Sequence, residues 1–554
     1  MAACPKAPEK DVRVGGSGGG GEEGQEQKVM RVSVIDLGFN SVKMVNYDIN
    51  RKDGSFKAYR QDAVKVRLGE GMHKTGYLGR EPMQRAIDAL KLFRDVISFD
   101  SVRRVLPVAT SAVRDAGNRQ EFLKRAEEQT GFRFRVLSGQ EEAFYSYVGA
   151  LQATCVPTAL FFDIGGGSLE LVYTENYSIK KVKSYPLGAL RLTQMFSPPS
   201  SQGSFSKKDY ARMEEHVADS LPGRKELAPS VDTTLVGVGG ALRALARLDQ
   251  EKAGYELDKI HNYRMSLESV EQMAKDLRRM EPDELAEIKA IGANRAETIV
   301  AGSAVISALM GRLGFDSVTV SARGLREGVL SVFARDLKTF YSIGGISAEK
   351  AKAYVVSACQ REELPQRTAT LVRPLVAAGL LREKEKMILT HAIRQMATVP
   401  MITNYNNLFY LMMDEDNAFL THREQLILAL AIVHNRKDKA VDLLFSRYRS
   451  ILEPQNMKSI KKISACLTIS EIMEKCGMAA RVSVNGSGKK AAAAVRLSLS
   501  MSPGRFLPAA LLSSALKNFE DAFNVSAACQ VVSSSPPPAA AANSGRREDV
   551  RVIV

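Results

Sequence analysis

Residues Phe161–Leu171 read FFDIGGGSLEL. An apolar run ends on a carboxylate, three glycines follow, and a serine and a second carboxylate close the stretch. The same order stands 127 positions earlier, where VSVIDLGFNS (Val32–Ser41) repeats the strand, acid, glycine and serine of ALFFDIGGGS (Ala159–Ser168). A third apolar run, TTLVGVGG (Thr233–Gly240), also ends in glycines. Glycine at a strand end lets backbone N–H groups approach a bulky anion closely and point at it together. Turns of this kind cradle phosphates. The candidate phosphate-binding residues are Gly38, Asn40 and Ser41, then Gly165, Gly166, Gly167 and Ser168, then Gly239 and Gly240. Carboxylates beside such a cradle repel the anion unless a cation lies between them. Mg²⁺ is the expected cation, with Asp36, Asp163 and Glu170 as candidate ligands, directly or through water.

Working outward, strands alternate with amphipathic helices. In EPMQRAIDALKLFRDVI the 3–4 spacing of Met83, Ile87, Leu90 and Phe93 predicts a helix. SVRRVLPVAT reads as a strand, and YRQDAVKVRLGEGM contains another. ATSAVRDAGNRQEFLKRAEEQTG predicts a turn and a helix ending at Gly131, and a further helix is expected from about Gln140. Alternation of this kind means α/β layers, and the internal repeat implies two related halves with a cleft between them. TIVAGSAVISALMG (Thr298–Gly311) is too short to span a bilayer. It reads as a buried helix in which Ala301 and Gly302 admit a close neighbour.

From about Lys338 the pattern becomes helical, through AEKAKAYVVSACQREELPQ, LVRPLVAAGLLREKEKMILTHAIRQM and REQLILALAIVHNRKDKAVDLLFSRY. AAVRLSLSM is compatible with a strand, and ALLSSALKNFEDAF with a helix. The expected organisation is a disordered tail over 1–29, α/β subdomains over 30–150 and 151–337, a helical domain over 338–528, and a disordered tail over 529–554.

The 554 residues carry a formal net charge of +15 with a pI near 9.4. That balance favours acidic partners. From Tyr341 to Val554 there are 28 Lys and Arg against 18 Asp and Glu, so most of the excess lies there. Arg436, Lys437, Lys439, Arg447, Arg449, Lys458, Lys461 and Lys462 cluster in sequence and suit a guide for a long polyanion. No nucleic-acid recognition motif accompanies them. The six cysteines form no CxxC pair, which argues against a zinc site. The first 29 residues lack the apolar core of a secretory signal. A cytoplasmic protein without a membrane partner is expected.

Two more constellations carry chemistry. Ser138–Ala143 (SGQEEA) opens a helix with two acids. These serve either as capping groups favoured by the helix dipole or as a general base for an attacking water, and spacing leaves both readings open. Arg114 follows ATSAV at the start of a turn, where a guanidinium can bind phosphate oxygens bidentately.

Together these residues resemble the exopolyphosphatase / guanosine pentaphosphate phosphohydrolase family, within the actin-like and sugar-kinase-like ATPase fold. The resemblance lies in VIDLGFNSVKM, VRLGEGM, ATSAVRDAGNRQEFL, VLSGQEEAFYSYVGA, FFDIGGGSLELV, PLGALRLT, VGVGGALRALARL, IHNYRMSL and SARGLREGVL, in order over about 30–335. It implies two actin-like subdomains around a cleft, and Mg²⁺-dependent hydrolysis of terminal phosphoanhydride bonds. It places the general base on Glu142 with Glu141 assisting, a phosphate contact on Arg114, and metal-associated acids on Asp163 and Glu170. It places phosphate loops at Asn40 and Ser41, at Gly165–Ser168, and at Gly239 and Gly240. The implied substrate is inorganic polyphosphate, with guanosine pentaphosphate as the alternative and a catalytically silent binding protein as a more distant one. Longer members also imply a homodimer and a helical domain related to HD phosphohydrolases. Here His391 is followed by Ala392 rather than Asp, so a degenerate HD-like domain without a working metal centre is expected. Two departures stand out: Phe39 where the family usually has a small serine, and Ala322 where many members carry an acid.

Overall fold

The computed structural model describes residues 29–51, 54–197, 203–227, 229–230, 232–335, 363–398, 404–414, 420–436, 439–485, 494–501 and 509–533. The expected tails over 1–28 and 534–554, most of the expected helix AEKAKAYVVSACQREELPQ, and Lys437 lie outside the described residues. The chain divides into two compact units. One comprises 1–254 and 259–358, the other 255–258 and 359–554.

The first unit holds two sheets of the same plan. Strands β1 (Val29–Leu37), β2 (Ser41–Asn50), β3 (Phe56–Lys65), β4 (Arg104–Ala109) and β5 (Arg135–Val136) lie in the order β3-β2-β1-β4-β5. Strands β6 (Ala159–Ile164), β7 (Leu169–Glu175), β8 (Ser178–Tyr185), β9 (Thr234–Gly239), β10 (Arg264–Ser266) and β11 (Ser317–Val320) lie in the order β10-β11-β9-β6-β7-β8. In each half the first strand pairs antiparallel with the strand after its glycine turn and parallel with a later one. The repeated motif is therefore a repeated β-hairpin at the centre of each sheet. Such central strands are covered on both faces, which is why Val32, Val34 and Ile35 of β1 are wholly buried. The sequence reading passes over β2 and β8, whose lysines and asparagines blur the apolar alternation of a strand.

The helices of this unit are α1 (Met72–Thr75), α2 (Arg80–Phe99), α3 (Ser111–Asp115), α4 (Arg119–Thr130), α5 (Gly139–Thr154), α6 (Ala189–Phe196), α7 (Lys207–Ser220), α8 (Arg224–Leu227), α9 (Gly240–Lys252), α10 (Leu267–Leu277), α11 (Pro282–Glu287), α12 (Ala296–Leu313) and α13 (Leu325–Arg335). Met83, Ile87, Leu90 and Phe93 of α2 point into the core as their spacing predicts. α4 stops at Gly131, whose positive φ and N–H to Glu127 O close its C-terminus. α12 is long and apolar enough to cross a membrane by length and composition, yet it lies largely buried here. A methyl group at Gly302 would come 2.6 Å from the Ala241 methyl, which is the close neighbour expected there. α5 packs on β6, β7 and β8 and crosses α13, which also touches β1. The crossing is backbone on backbone. A Cβ at Gly149 would overlap the carbonyl of Gly324, and one at Gly328 the carbonyl of Tyr145.

In the second unit the helices Gln366–Ala377, Glu383–Thr398, Tyr405–Asp414, His422–Arg436, Lys439–Arg447, Asn456–Cys476 and Ala509–Phe523 share a core that includes Leu371, Phe409, Leu430, Ile463 and Phe519. A three-stranded sheet joins them: β12 (Ala479–Asn485), β13 (Ala494–Met501) and β14 (Ser526–Ser533). AAVRLSLSM is thus the strand β13 it was compatible with, β12 and β14 flank it, and β14 continues the described chain past 528. Ala- and Ser-rich strands of this kind carry little intrinsic signal, and cross-strand pairing decides them. His422 Nδ1 meets Tyr255 Oη at 2.9 Å, and His434 Nδ1 meets Ser464 Oγ at 3.0 Å. His391 is buried. Of the basic cluster, Arg436 pairs with Glu471 and Arg447 donates to Tyr410 Oη. Lys462 donates to Leu380 O and lies over the Phe523 ring, while Arg449, Lys458 and Lys461 are exposed.

Candidate active site

The two glycine turns close with the same hydrogen bond, Gly38 N–H to Ser41 O at 3.1 Å and Gly165 N–H to Ser168 O at 3.0 Å. Their other carbonyls are held from outside. Gly165 O and Gly166 O accept from the N–H groups of Ala189 and Arg191 at the start of α6, and Gly167 O accepts from Arg191 Nε at 2.7 Å. Phe39 O accepts from Gly69 N–H, and Asn40 O accepts from both Val66 and Arg67 N–H. A planar trans peptide sets each N–H opposite the preceding C=O. With the carbonyls turned outward, the N–H groups of Asn40, Ser41, Gly166, Gly167 and Ser168 face the inner edges of the two turns. Those turns meet. A Cβ at Gly166 would stand 3.3 Å from the Cβ atoms of Asn40 and Phe39, and the Phe39 ring lies over Gly167. Gly239, at φ 124°, sits opposite Ile164 in the register of β6 and β9, so the third turn stands beside the second.

Strand register then sets the acids. Asp163 lies directly opposite Glu170, and Asp36 directly opposite Lys43. The two pairs are equivalent positions of the repeated hairpin, with an acid in one and a lysine in the other. Glu170 is buried and accepts from Ser184 Oγ at 2.8 Å. Asp163 Oδ2 accepts from Ser146 Oγ of α5 at 2.6 Å. Glu142 is buried in the first turn of α5, and its Oε2 accepts from Arg114 Nη1 at 2.6 Å. Glu141 faces elsewhere. It completes a capping box with Ser138 and pairs with Arg135 at 2.5 Å. Those bonds overcome its burial and hold its carboxyl below the usual range.

Burial pushes the Glu142 carboxyl up to about 7, with Arg114 pulling it back and Asp163 and Asp36 adding repulsion. Burial also raises Glu170 well above the ordinary range, helped by the charges of Glu142 and Asp163. Asp163 is raised by burial against the opposing Ser146 hydrogen bond and the charges of Arg243 and Lys43. The centre thus gathers several buried acids whose carboxyls are raised by burial. Among the described residues no group of three or more His, Cys, Asp or Glu is placed to hold a metal ion by itself. The donor set still fits Mg²⁺, a hard cation that takes one or two carboxylates and completes its shell with water and phosphate oxygens. Asn40 Oδ1, buried in the first turn, has no hydrogen-bond donor among the described residues and is a further oxygen in want of a partner.

Three cations escaped the sequence reading: Lys43, Arg243 and Arg326. Each interacts electrostatically with Asp163, and Lys43 and Arg326 also with Asp36. Arg243 Nη1 donates to the backbone carbonyl of Ala322, so that position is used through its main chain. Arg326 is buried, and its Nη1 has no hydrogen-bond acceptor among the described residues. VIDLGFNSVKM contained Lys43, and the strand register is what sets it opposite Asp36. VGVGGALR and GLREG did contain the two arginines, as members of matching segments without a role.

Two copies of one hairpin, their glycine turns in contact and buried acids beside them, give the unit the paired-sheet plan of the actin-like class. Residues 49–335, just over half of the chain, match the Ppx/GppA phosphatase family. The chain belongs to that family, and is by class a phosphoanhydride hydrolase. Exopolyphosphatase 2 of Mycobacterium tuberculosis is 29% identical over 315 residues, covering 54% of this chain and 97% of the relative. A bifunctional 3-dehydroquinate synthase/phosphatase of Fusobacterium nucleatum is 25% identical over 297 residues. That match takes in 52% of this chain but 44% of the relative, less than half its length. The crystal structure of an exopolyphosphatase from Cytophaga hutchinsonii is similar with a TM-score of 0.50 at 27% identity, covering 55% of this chain and 98% of that one.

Proposed function

We propose that the protein is an exopolyphosphatase that releases orthophosphate from the end of inorganic polyphosphate. The observation that carries this reading is the buried Glu142–Arg114 pair beside two facing phosphate turns. A carboxyl brought near neutrality suits a general base at physiological pH. In this reading Glu142 takes a proton from a water that attacks the terminal phosphorus in line. The bridging P–O bond breaks, and its electrons leave with the shortened chain. Arg114 and the inward N–H groups of Asn40, Ser41, Gly166, Gly167 and Ser168 hold the equatorial oxygens as charge spreads onto them. Gly239 and Gly240 would seat phosphates further along. Asp163 and Glu170, with Asp36 through water, would hold Mg²⁺, which when bound offsets the charge of the acids and of the phosphates.

Guanosine pentaphosphate offers the same terminal bond, so the deciding experiment sets the two substrates side by side. Orthophosphate release is measured from long-chain polyphosphate and from guanosine pentaphosphate, with Mg²⁺ and with chelator. Faster release from polyphosphate, abolished by chelator, is expected. Release from guanosine pentaphosphate alone would move the assignment to that substrate. Release from neither, with polyphosphate still bound, would make the protein a binding protein.

A further inference from the structure

PLGALRLT was singled out in the sequence without a role, and its arginine is the member that spans the cleft. Arg191 lies on α6, in the half of the unit built on the second sheet. Its Nη2 donates to Asp115 Oδ2 at 2.6 Å, and Asp115 belongs to α3, beside the first sheet. The other oxygen of that carboxylate, Oδ1, stands 3.4 Å from Arg114 Nε. Arg114 in turn holds Glu142. The guanidinium of Arg191 also sits 5.3 Å from the centre of the Phe39 ring, and its Nε binds Gly167 O. One carboxylate is therefore divided between two arginines, one from each half of the unit.

We propose that Arg191 is a positioning residue that, through Asp115, aims the Arg114 guanidinium at the terminal phosphate. This inference rests on the exopolyphosphatase reading. The physical argument is competition for Asp115. Arginine and carboxylate prefer a two-pronged, parallel pairing. While Arg191 occupies Oδ2, Arg114 has only a single long contact to Oδ1, and its Nη1 stays on Glu142 Oε2 and Leu137 O. Without Arg191, both oxygens of Asp115 become available to its neighbour, and Arg114 turns aside. The Phe39 ring holds the flat face of Arg191 in place, so a bulky residue in the first turn serves the second.

A role through Arg114 differs from mere anchoring of α6 in its dependence on Arg114. kcat and KM are measured on long-chain polyphosphate with Mg²⁺ for the full chain and for Arg191→Met, Arg114→Met and the double variant. Arg191→Met should lower kcat about ten-fold with KM changed less than about three-fold, the pattern of a loss felt in the transition state. Arg114→Met should cost about 100-fold in kcat. The double variant should fall within about three-fold of Arg114→Met alone, since two groups acting as a unit do not combine independently. Losses that multiply would overturn the proposal and leave Arg191 as an anchor. Asp115→Asn, which removes the carboxylate the two arginines share, should restore kcat when added to Arg191→Met, and no rescue would overturn the proposal; if Arg191→Met does not fold, Arg191→Lys takes its place in the same comparison. If the unaltered protein releases no phosphate, the functional reading fails and takes this inference with it. If Arg114→Met is crippled while Arg191→Met matches the parent, the positioning role alone fails.

Discussion

Replacing Gly149 by alanine tests whether the crossing of α5 and α13 sets the site. A methyl at this position would overlap the Gly324 carbonyl oxygen, and it would lie 2.8 Å from that carbonyl carbon and 3.0 Å from Gly328 N. All three obstacles are main chain, so no rotamer change relieves them, and the helices must separate. Overpacking of this kind costs about 1–3 kcal/mol, and the upper end applies where backbone has to move. At roughly 2 °C per kcal/mol for a unit of this size, the melting temperature should fall by about 6 °C. α5 also carries Glu142 two turns before Gly149, and α13 carries Arg326. A shift of a large fraction of an ångström at the crossing reaches Glu142, and a misplacement of about 1 Å costs about 100-fold in rate. The assay pairs thermal unfolding with orthophosphate release at saturating polyphosphate. A variant that melts within about 1 °C of the parent and turns over at the parental rate would refute the reasoning, because α5 and α13 would then have room the structure denies them.

Glu142→Gln should lower turnover by about 1,000-fold, within the range of general-base removal, while polyphosphate still binds in a filter or calorimetric assay. Parental turnover would place the base elsewhere. Glu170→Gln should abolish activity yet raise the unfolding free energy from urea denaturation in metal-free buffer by about 1 kcal/mol or more, since it removes one of several repelling buried acids; an unchanged or lower value would contradict the electrostatic picture. pH dependence supplies the last test. Glu142 holds a proton in the folded protein between its unfolded value of 4.5 and about 7. Its contribution to stability is therefore fully present below 4.5 and is lost as pH rises through about 7. Metal-free unfolding free energy should fall more steeply between pH 5 and 8 in the parent than in Glu142→Gln, and parallel curves would show that Glu142 titrates normally.

Much of this architecture was legible in the sequence, because its central element occurs twice. The 127-residue repeat identified the strand–acid–glycine–serine turns, and the α/β layers followed from helices such as α2 and α4. Glu142 emerged by resemblance, not by spacing; Glu141 and Glu142 open the same helix, and only the fold shows one capping it and the other turned inward. Lys43, Arg243, Arg326 and Arg191 stayed hidden for a physical reason. Each sits in an ordinary local context, and its meaning comes from a partner far along the chain or across a strand pair. In the second unit only β13 was visible, because β12 (AARVSVN) and β14 (SAACQVVS) are poor in bulky β-formers and are decided by pairing.

The equivalent cross-strand positions of the two hairpins hold a lysine at 43 and a glutamate at 170. A polyphosphate chain is the same from either end and carries no arrow of its own. A cleft whose walls share one backbone form but bear opposite charges does carry one. In the proposed reading Lys43 would draw bare phosphate to its wall, whereas Glu170 would tolerate phosphate only in company with a cation. A symmetric chain entering such a cleft acquires a head and a tail, and the duplication of one hairpin becomes a sense of direction.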